Sequence, residues 1–365
     1  MSIQSTHRPG RPRPALSRRA LLAGTAAGAV GLSLAACGKG KKSGSQGDSK
    51  TVTVVTHDSF HVSENLQKAF TSETGYTLKI ATSGDAGALV NKLVLTKDAP
   101  LGDAVFGIDN TYATRALDQG VIDTSATVTL PKGAESYVVA DTPALAPIDV
   151  GDVCLNIDTG YFTGKGLTPP ATFEDLTKPE YKGLLVAINP TNSSPGMAWL
   201  LATIGHFGAG SFAGYWKQLM ANGARIAEDW SAAYETDFSG SGKGTYPIVV
   251  SYASSPSFTV SKDKSSSTTS ALLDTAFRQV EYAGVLKGAA NPEGGKAFVT
   301  WMLSKAVQED IPGQMYMYPV LPDAALPEAL TKFGPLSKSP VKVEPKEITT
   351  HREEWLNTWT EAVGK

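Results

Sequence analysis

Residues 51–60 read TVTVVTHDSF, a β-branched run followed at once by a polar turn. The run over 51–56 predicts a buried strand, because Val and Thr side chains fit the pleated backbone. Apolar residues then recur at helical spacing from Val62 to Phe70, and Gly75 ends that helix. A strand that leads through a polar turn into a helix is the building block of a parallel sheet covered by helices.

The same alternation continues along the chain. Strands are predicted at 76–81 and 103–108, and each is followed by a polar turn and a helix. Asp109-Asn110 is predicted to cap the helix after the second of these strands. A second alternating set begins near residue 146 and includes strands at 184–188 and 248–251. We therefore predict an α/β fold.

The body of the chain is too long for one core, so two lobes are expected. Residues 51–147 form the predicted first lobe, and the chain returns to it over about 280–322. Residues 148–279 form the predicted second lobe, completed by about 323–365. Each lobe is expected to hold a mainly parallel sheet flanked by helices, with the ligand cleft between the lobes.

The N-terminal 36 residues have the pattern of an export signal. They contain five arginines and no acidic residue, and Arg18-Arg19 has the twin-arginine pattern that precedes an apolar run. Leu34-Ala35-Ala36-Cys37 then predicts cleavage before Cys37 and attachment of a lipid to its thiol. Residues 37–50 are the predicted lipidated cysteine and flexible linker. The expected location is extracytoplasmic, on the outer face of the cytoplasmic membrane or in the periplasm.

Charge and cysteine content exclude several classes of function. Residues 51–365 contain 24 basic and 34 acidic residues, a formal charge of −10, which argues against nucleic acid as a partner. The acidity suits a cationic ligand, although it also favours solubility. Cys154 is the one cysteine of this body, so a disulfide or a zinc cluster of thiolates within it is excluded. Motifs of hydrolases, P-loop enzymes and zinc proteases are absent, so we expect no enzyme, no metal site and no cofactor.

Polar turns follow the predicted strands, and ligands of open α/β sheets bind at such strand ends. Asp58, Asp85 and Asp109 occupy three of these turns, where an acid can bind a cation or simply cap a helix. The helix start after Ser194 could hold an anion such as phosphate. Five aromatic residues in loop-like contexts could stack on a flat ligand, or pack internally. They are Trp230, Tyr234, Tyr252, Phe258 and Tyr316.

Six short segments together resemble the thiamine-binding proteins of bacterial ABC importers, a family of the periplasmic-binding type II class. They are residues 56–60 (THDSF), 107–110 (GIDN), 193–196 (SSPG), 229–234 (DWSAAY), 251–256 (SYASSP) and 317–320 (MYPV). The resemblance runs from residue 51 to nearly the end. It implies a lipid-anchored receptor, expected to be monomeric, that captures thiamine and its phosphate esters. Such a receptor delivers its ligand to a membrane permease and its ATPase subunits.

The resemblance also implies roles for particular residues. Trp230, Tyr252, Phe258 and Tyr316 are expected to flank the thiamine rings, Ser193 or Ser194 to bond the ligand, and Asp85 to face the pyrimidine. This chain has His57 and Phe258 where the family has Tyr, and Tyr316 where it has Trp, so hydrogen bonds to the ligand can differ. The full predicted ligand-binding set is His57, Asp58, Ser59, Asp85, Asp109, Asn110, Ser193, Ser194, Trp230, Tyr234, Tyr252, Phe258 and Tyr316. A polyamine, ferric iron, a pyrimidine precursor of thiamine, or an exported hydrolase remain the alternatives.

Overall fold

A computed structural model describes residues 50–241 and 243–364. The predicted export signal, the lipid attachment at Cys37 and all but the last residue of the linker lie outside the described residues. The strand predicted at 51–56 is β1, with these bounds, and its valines are buried.

Nine strands form one continuous sheet in the order β2-β1-β3-β8-β4-β7-β5-β6, with β9 pairing to β4. The strands are β1 (Thr51–Thr56), β2 (Thr77–Thr82), β3 (Ala104–Asp109), β4 (Leu145–Asp158), β5 (Leu185–Ile188), β6 (Arg225–Ala227), β7 (Ile248–Tyr252), β8 (Thr269–Val285) and β9 (Tyr318–Pro319).

The two ends of this sheet are parallel and its middle is antiparallel. β1 pairs in parallel with β2 and β3 at one end, and β5 pairs in parallel with β6 and β7 at the other. The long strands β4 and β8 are antiparallel partners that run through both halves. The return to the first lobe, predicted over about 280–322, therefore begins in the last part of β8, which pairs with β3. Both halves share one sheet because these two strands cross between them.

Helices cover the sheet at both ends. They are α1 (Glu64–Thr74), α2 (Ala86–Leu95), α3 (Ala113–Asp118), α4 (Thr159–Lys165), α5 (Ser194–Phe207), α6 (Phe212–Ala221), α7 (Pro292–Met302), α8 (Lys305–Met315), α9 (Glu328–Phe333) and α10 (Pro345–Val363). Helix α1 ends at Gly75 in the left-handed conformation, with φ of 75°. Trp216 and Trp359 bring α6 and α10 together in an edge-to-face contact, with 5.6 Å between ring centroids.

The helix cap predicted at Asp109-Asn110 is wrong, whereas α5 begins at Ser194, directly after Ser193. Helix α3 begins at Ala113, because Asp109 Oδ1 accepts hydrogen bonds from the Thr111 amide and hydroxyl at 2.8 and 2.7 Å and so closes a local turn. No helix in residues 50–241 or 243–364 combines the length and apolar character needed to cross a bilayer.

Candidate functional site

A cleft opens where the two halves of the sheet meet. Its walls come from the turns after β1 and β2, the start of α5, the loop after β6, the end of β7, the middle of β8 and the segment after α8. The lining residues are His57, Ser59, Asp85, Ser194, Pro195, Trp230, Tyr252, Glu281, Met315, Tyr316 and Met317. Seven of the thirteen predicted ligand-binding residues thus lie on this one cleft.

Aromatic rings form one wall of the cleft. Trp230 stacks on Tyr234 at 5.0 Å between ring centroids and 10° between planes, so at most one face of the indole is left open. Tyr316 lies 6.3 Å from Trp230, tilted by 40°, and meets Phe258 edge-on at 3.8 Å. This wall also bounds a second cavity, which Tyr234 and Phe258 line together with Trp230 and Tyr316. The two compartments share the Trp230–Tyr316 pair.

Hydrogen bonds and backbone conformation hold these rings in place. The Trp230 indole N–H donates to Ser251 Oγ at 3.0 Å, which ties the loop after β6 to β7. Tyr252 ends β7 and its hydroxyl donates to Gln279 Oε1 at 3.3 Å. Tyr316 ends α8 in the left-handed conformation, with φ of 62°, which is unusual for a residue other than glycine. The ring of Tyr316 is aimed at the cleft by this turn.

Carboxylates surround the cleft and its mouth. Asp58, Glu228 and Asp229 line an adjoining cavity that shares Asp85 and Trp230 with the cleft. Asp85 and Glu281 line the cleft itself. Among the described residues that line these two cavities there is neither a lysine nor an arginine. The site therefore presents negative charge next to flat aromatic faces.

Asp85 joins the two halves of the molecule. Its Oδ1 accepts the Ala86 amide at 2.7 Å at the start of α2 and the Ser194 amide at 3.3 Å at the start of α5. Burial raises the pKa of Asp85, although hydrogen bonds and His57 oppose that change. The start of α5, where we predicted a possible phosphate site, already faces the Asp85 carboxylate. That carboxylate would repel a phosphate.

His57 contacts the floor of the cleft. Its Nδ1 accepts the Ser59 amide at 3.1 Å, so Nε2 carries the proton of the neutral ring and lies 3.4 Å from Glu281 Oε1. Burial lowers the pKa of His57, but Glu281, Asp85 and Asp58 outweigh it, and the pKa is raised overall. His57 thus provides a proton donor at the position where the family has Tyr.

Three predicted residues line neither the cleft nor the two cavities beside it. Asp109 is fully buried and bonded to Thr111, and Ser193 is fully buried before α5. Asn110 is used within the sheet, because its Nδ2 donates to the Arg278 carbonyl at 3.0 Å and its Oδ1 accepts the Val280 amide at 3.1 Å. Each of these residues holds the framework next to the cleft in this structure.

The sequence analysis missed Glu281 and its neighbour Asp149. Both are buried, with 6 and 0 % exposure, and they pair across β8 and β4. Site residues were predicted only in the turns that follow strands, whereas these two acids lie within the crossing strands β4 and β8. An acid inside an otherwise apolar strand was the available signal, since an unpaired buried charge is costly. Within the described part of the chain, no group of three or more His, Cys, Asp or Glu is arranged to hold a metal ion.

Comparisons with known proteins agree with this architecture. A family model described as bacterial extracellular solute-binding protein matches residues 103–334. The thiamine-binding periplasmic protein of Salmonella typhimurium is 27% identical over 326 residues, which is 86% of this chain and 94% of that protein. A solved periplasmic thiamin binding protein has a TM-score of 0.74 and 25% identity, and the match covers 86% of this chain and 96% of that one.

A third likeness concerns the fold alone. Iron-bound HitA from Pseudomonas aeruginosa has a TM-score of 0.67 and 20% identity, with 86% of this chain and 99% of that one covered. These likenesses confirm the prediction of a two-lobed α/β fold of the periplasmic-binding type II class. They leave the role of each cleft residue a prediction.

Proposed function

Because the chain belongs to the bacterial extracellular solute-binding proteins, we propose that it captures thiamine outside the cytoplasm and delivers it to an ABC permease. One observation carries the choice of ligand: the cleft combines an aromatic wall with carboxylates and has no lining lysine or arginine among the described residues. Thiamine is flat and carries a permanent positive charge, so it suits both features. The similarity to thiamine-binding periplasmic proteins supports the same ligand.

The shape of the site also suits a ligand with two linked rings. The cleft and the second cavity meet at Trp230 and Tyr316, which line both. We assign one ring of thiamine to each side of this pair. Asp85 is the proposed partner of the pyrimidine amine, since a carboxylate accepts hydrogen bonds from an exocyclic amine. Phosphate esters of thiamine bind too in this proposal, but more weakly, because Asp85 faces the start of α5.

Closure of two lobes around the ligand is the proposed mode of capture. The lobes are residues 51–147 with 280–322, and 148–279 with 323–365, and the crossing strands β4 and β8 would form the hinge. Contacts between the halves exist beside the cleft: the Tyr112 hydroxyl donates to the Pro190 carbonyl at 3.4 Å, and Thr349 and Thr114 share a hydrogen bond of 2.8 Å. A ligand that contacts both halves favours this closed arrangement.

The predicted anchor completes the proposal. Export through the twin-arginine signal and a lipid on Cys37 would hold a monomeric receptor at the outer face of the cytoplasmic membrane. Cys37→Ser is expected to move the protein from the membrane fraction to the soluble extracytoplasmic fraction. Retention of the variant in the membrane fraction would remove the lipid anchor from the proposal.

A polyamine receptor is the second candidate, because the acids and aromatic rings would also suit an extended cation. Calorimetric titration of the purified chain with thiamine, spermidine, ferric citrate and the isolated aminopyrimidine separates the candidates. We expect saturable one-to-one binding that is tightest for thiamine. Tighter binding of spermidine, iron or the pyrimidine would assign the cleft to that ligand instead, and turnover of a thiamine ester would make the protein a hydrolase.

A further inference from the structure

Three buried carboxyl groups stand side by side beneath the cleft. Glu281 on β8 is the cross-strand partner of Asp109 on β3 and of Asp149 on β4. Cross-strand partners have Cβ atoms about 4.5–5.5 Å apart and point to the same face of a sheet. We call these three residues the carboxyl ladder. Glu281 is the member that reaches the cleft, whereas Asp109 and Asp149 are fully buried behind it.

The ladder lacks the partners that three carboxylates would need. Both carboxyl oxygens of Asp149 and Oδ2 of Asp109 are buried and accept no hydrogen bond. Burial raises the pKa of Asp109 to about 7, and burial followed by Glu281 raises the pKa of Asp149 well above its usual value. Asp152, which also lies on β4, has a cationic partner that the ladder lacks. Arg278 donates two hydrogen bonds to its carboxylate, of 2.5 and 3.0 Å. Burial therefore favours protons on Asp109 and Asp149 when the cleft is empty.

The surroundings of the ladder offer little positive charge. His57 is the one basic side chain of the described residues within ion-pair distance of a ladder member. From α8, the neutral amide of Gln308 donates to the Ile148 carbonyl, and from β8 the Gln279 amide donates to Glu281 Oε1 at 3.3 Å. The other titratable groups that interact with the ladder or with His57 are acids or phenols: Asp58, Asp85, Tyr112, Tyr252 and Tyr282.

We propose that a positively charged ligand binds beside Glu281 and replaces a proton that the carboxyl ladder and His57 hold when the cleft is empty. Glu281 thereby selects for cationic ligands. The proposal rests on the proposed function, since it concerns the same cleft. A cation over Glu281 supplies the charge that the retained proton supplied before. The proton leaves to bulk water, no covalent bond to the ligand forms, and the charge of the site is conserved.

Proton release fixes the direction of the pH dependence. If binding releases protons, ligand affinity rises with pH wherever the empty site still holds them. Because the three carboxyl groups and His57 are coupled, the proton belongs to the group as a whole rather than to one residue. A neutral ligand of the same shape would release no proton and would leave the ladder as it was.

The test is calorimetry of the intact protein with thiamine at pH 6 and pH 7, in two buffers of different ionisation enthalpy. The buffer dependence of the heat counts the protons. We expect wild type to release protons on binding thiamine, because a cation beside Glu281 disfavours protons held on the neighbouring buried groups. Any proton that thiamine itself takes up is common to all variants, so differences between variants report on the protein.

Three variants separate proton exchange from simple contact. Glu281→Gln is expected to lose the release and to bind thiamine about tenfold or more weakly, since it removes a charged partner. Asp149→Asn leaves Glu281 in the cleft but removes the neighbouring acid that holds a proton. The release then falls and binding at pH 6 tightens. Glu293→Gln, on the exposed side of α7, is the matched control and should behave as wild type.

The outcomes are distinguishable. Binding of thiamine with heats that do not depend on the buffer overturns the proton exchange and leaves the proposed function in place. Release by Glu281→Gln or Asp149→Asn equal to that of wild type overturns it as well. Absence of thiamine binding at either pH overturns the proposed function and this inference together. Loss of release in both ladder variants, with release retained in Glu293→Gln, supports it.

Discussion

Replacement of Trp230 by alanine is the change that tests the aromatic wall most sharply. One face of the indole is covered by Tyr234 at 5.0 Å, so the ligand can use only the other face. One cation–π or stacking contact in a partly desolvated cleft contributes about 1–2 kcal/mol, which corresponds to a loss of thiamine affinity of roughly 5- to 30-fold. The variant also loses its contact with Tyr234, so its melting temperature should fall.

Trp230→Phe refines this expectation. The phenyl ring keeps a flat face toward the ligand but cannot donate to Ser251 Oγ, a bond of 3.0 Å in the structure. Loss of that bond costs about 0.5–1.5 kcal/mol, so affinity should fall by less than in the alanine variant. Tyr161→Ala, on α4 away from the cleft, is the aromatic control.

Calorimetry with thiamine is the assay, because it does not depend on indole fluorescence, and circular dichroism checks the fold. A folded Trp230→Ala protein that binds within twofold of wild type would refute the stacking argument. Equal losses in Trp230→Ala and Tyr161→Ala would attribute the effect to stability instead.

Three further predictions concern the rest of the site. Tyr252→Phe should bind thiamine within about threefold of wild type, whereas Tyr252→Ala should lose about tenfold through its missing ring, as measured by calorimetry. The folded protein binds the Asp109 proton more tightly than the unfolded chain does, with a pKa of about 7, so the free energy of unfolding falls as pH rises from about 4 to 7. Asp109→Asn should reduce this pH-dependent decrease in the free energy of unfolding by up to about 4 kcal/mol, measured by urea unfolding at a series of pH values. The same pH dependence in the variant as in wild type would contradict this. Asp85→Asn should lower the ratio of affinities for thiamine and thiamine monophosphate in competition titrations, because it removes the carboxylate that faces Ser194. A higher ratio would count against the assignment of Asp85.

Local sequence patterns were enough to predict the parallel ends of the sheet. The β-branched run at 51–56 and the helix stop at Gly75 are each decided by residues close in sequence, through backbone preference and a left-handed turn. The same patterns missed the full length of β4 and β8. These strands are fixed by pairing between residues more than a hundred positions apart, such as Asp149 with Glu281.

The same distinction between local and long-range interactions applies to the residues of the candidate site. Trp230 follows β6 and Tyr252 ends β7, and ligand-facing positions at strand ends can be predicted from the order of elements alone. Asp109 ends β3 in the same way, yet its carboxylate turns back to Thr111, because an Asp side chain readily bonds the backbone two residues ahead. Local sequence could not separate these outcomes. Whether a turn residue faces the ligand or its own backbone depends on side-chain packing that the spacing does not encode.

A crystal structure of the protein grown with thiamine tests the central claim most directly. The account predicts electron density for thiamine in the cleft, with a ring against Trp230 and the aminopyrimidine within hydrogen-bond distance of Asp85. Density for thiamine elsewhere on the molecule, or an empty cleft at saturating ligand, would contradict it.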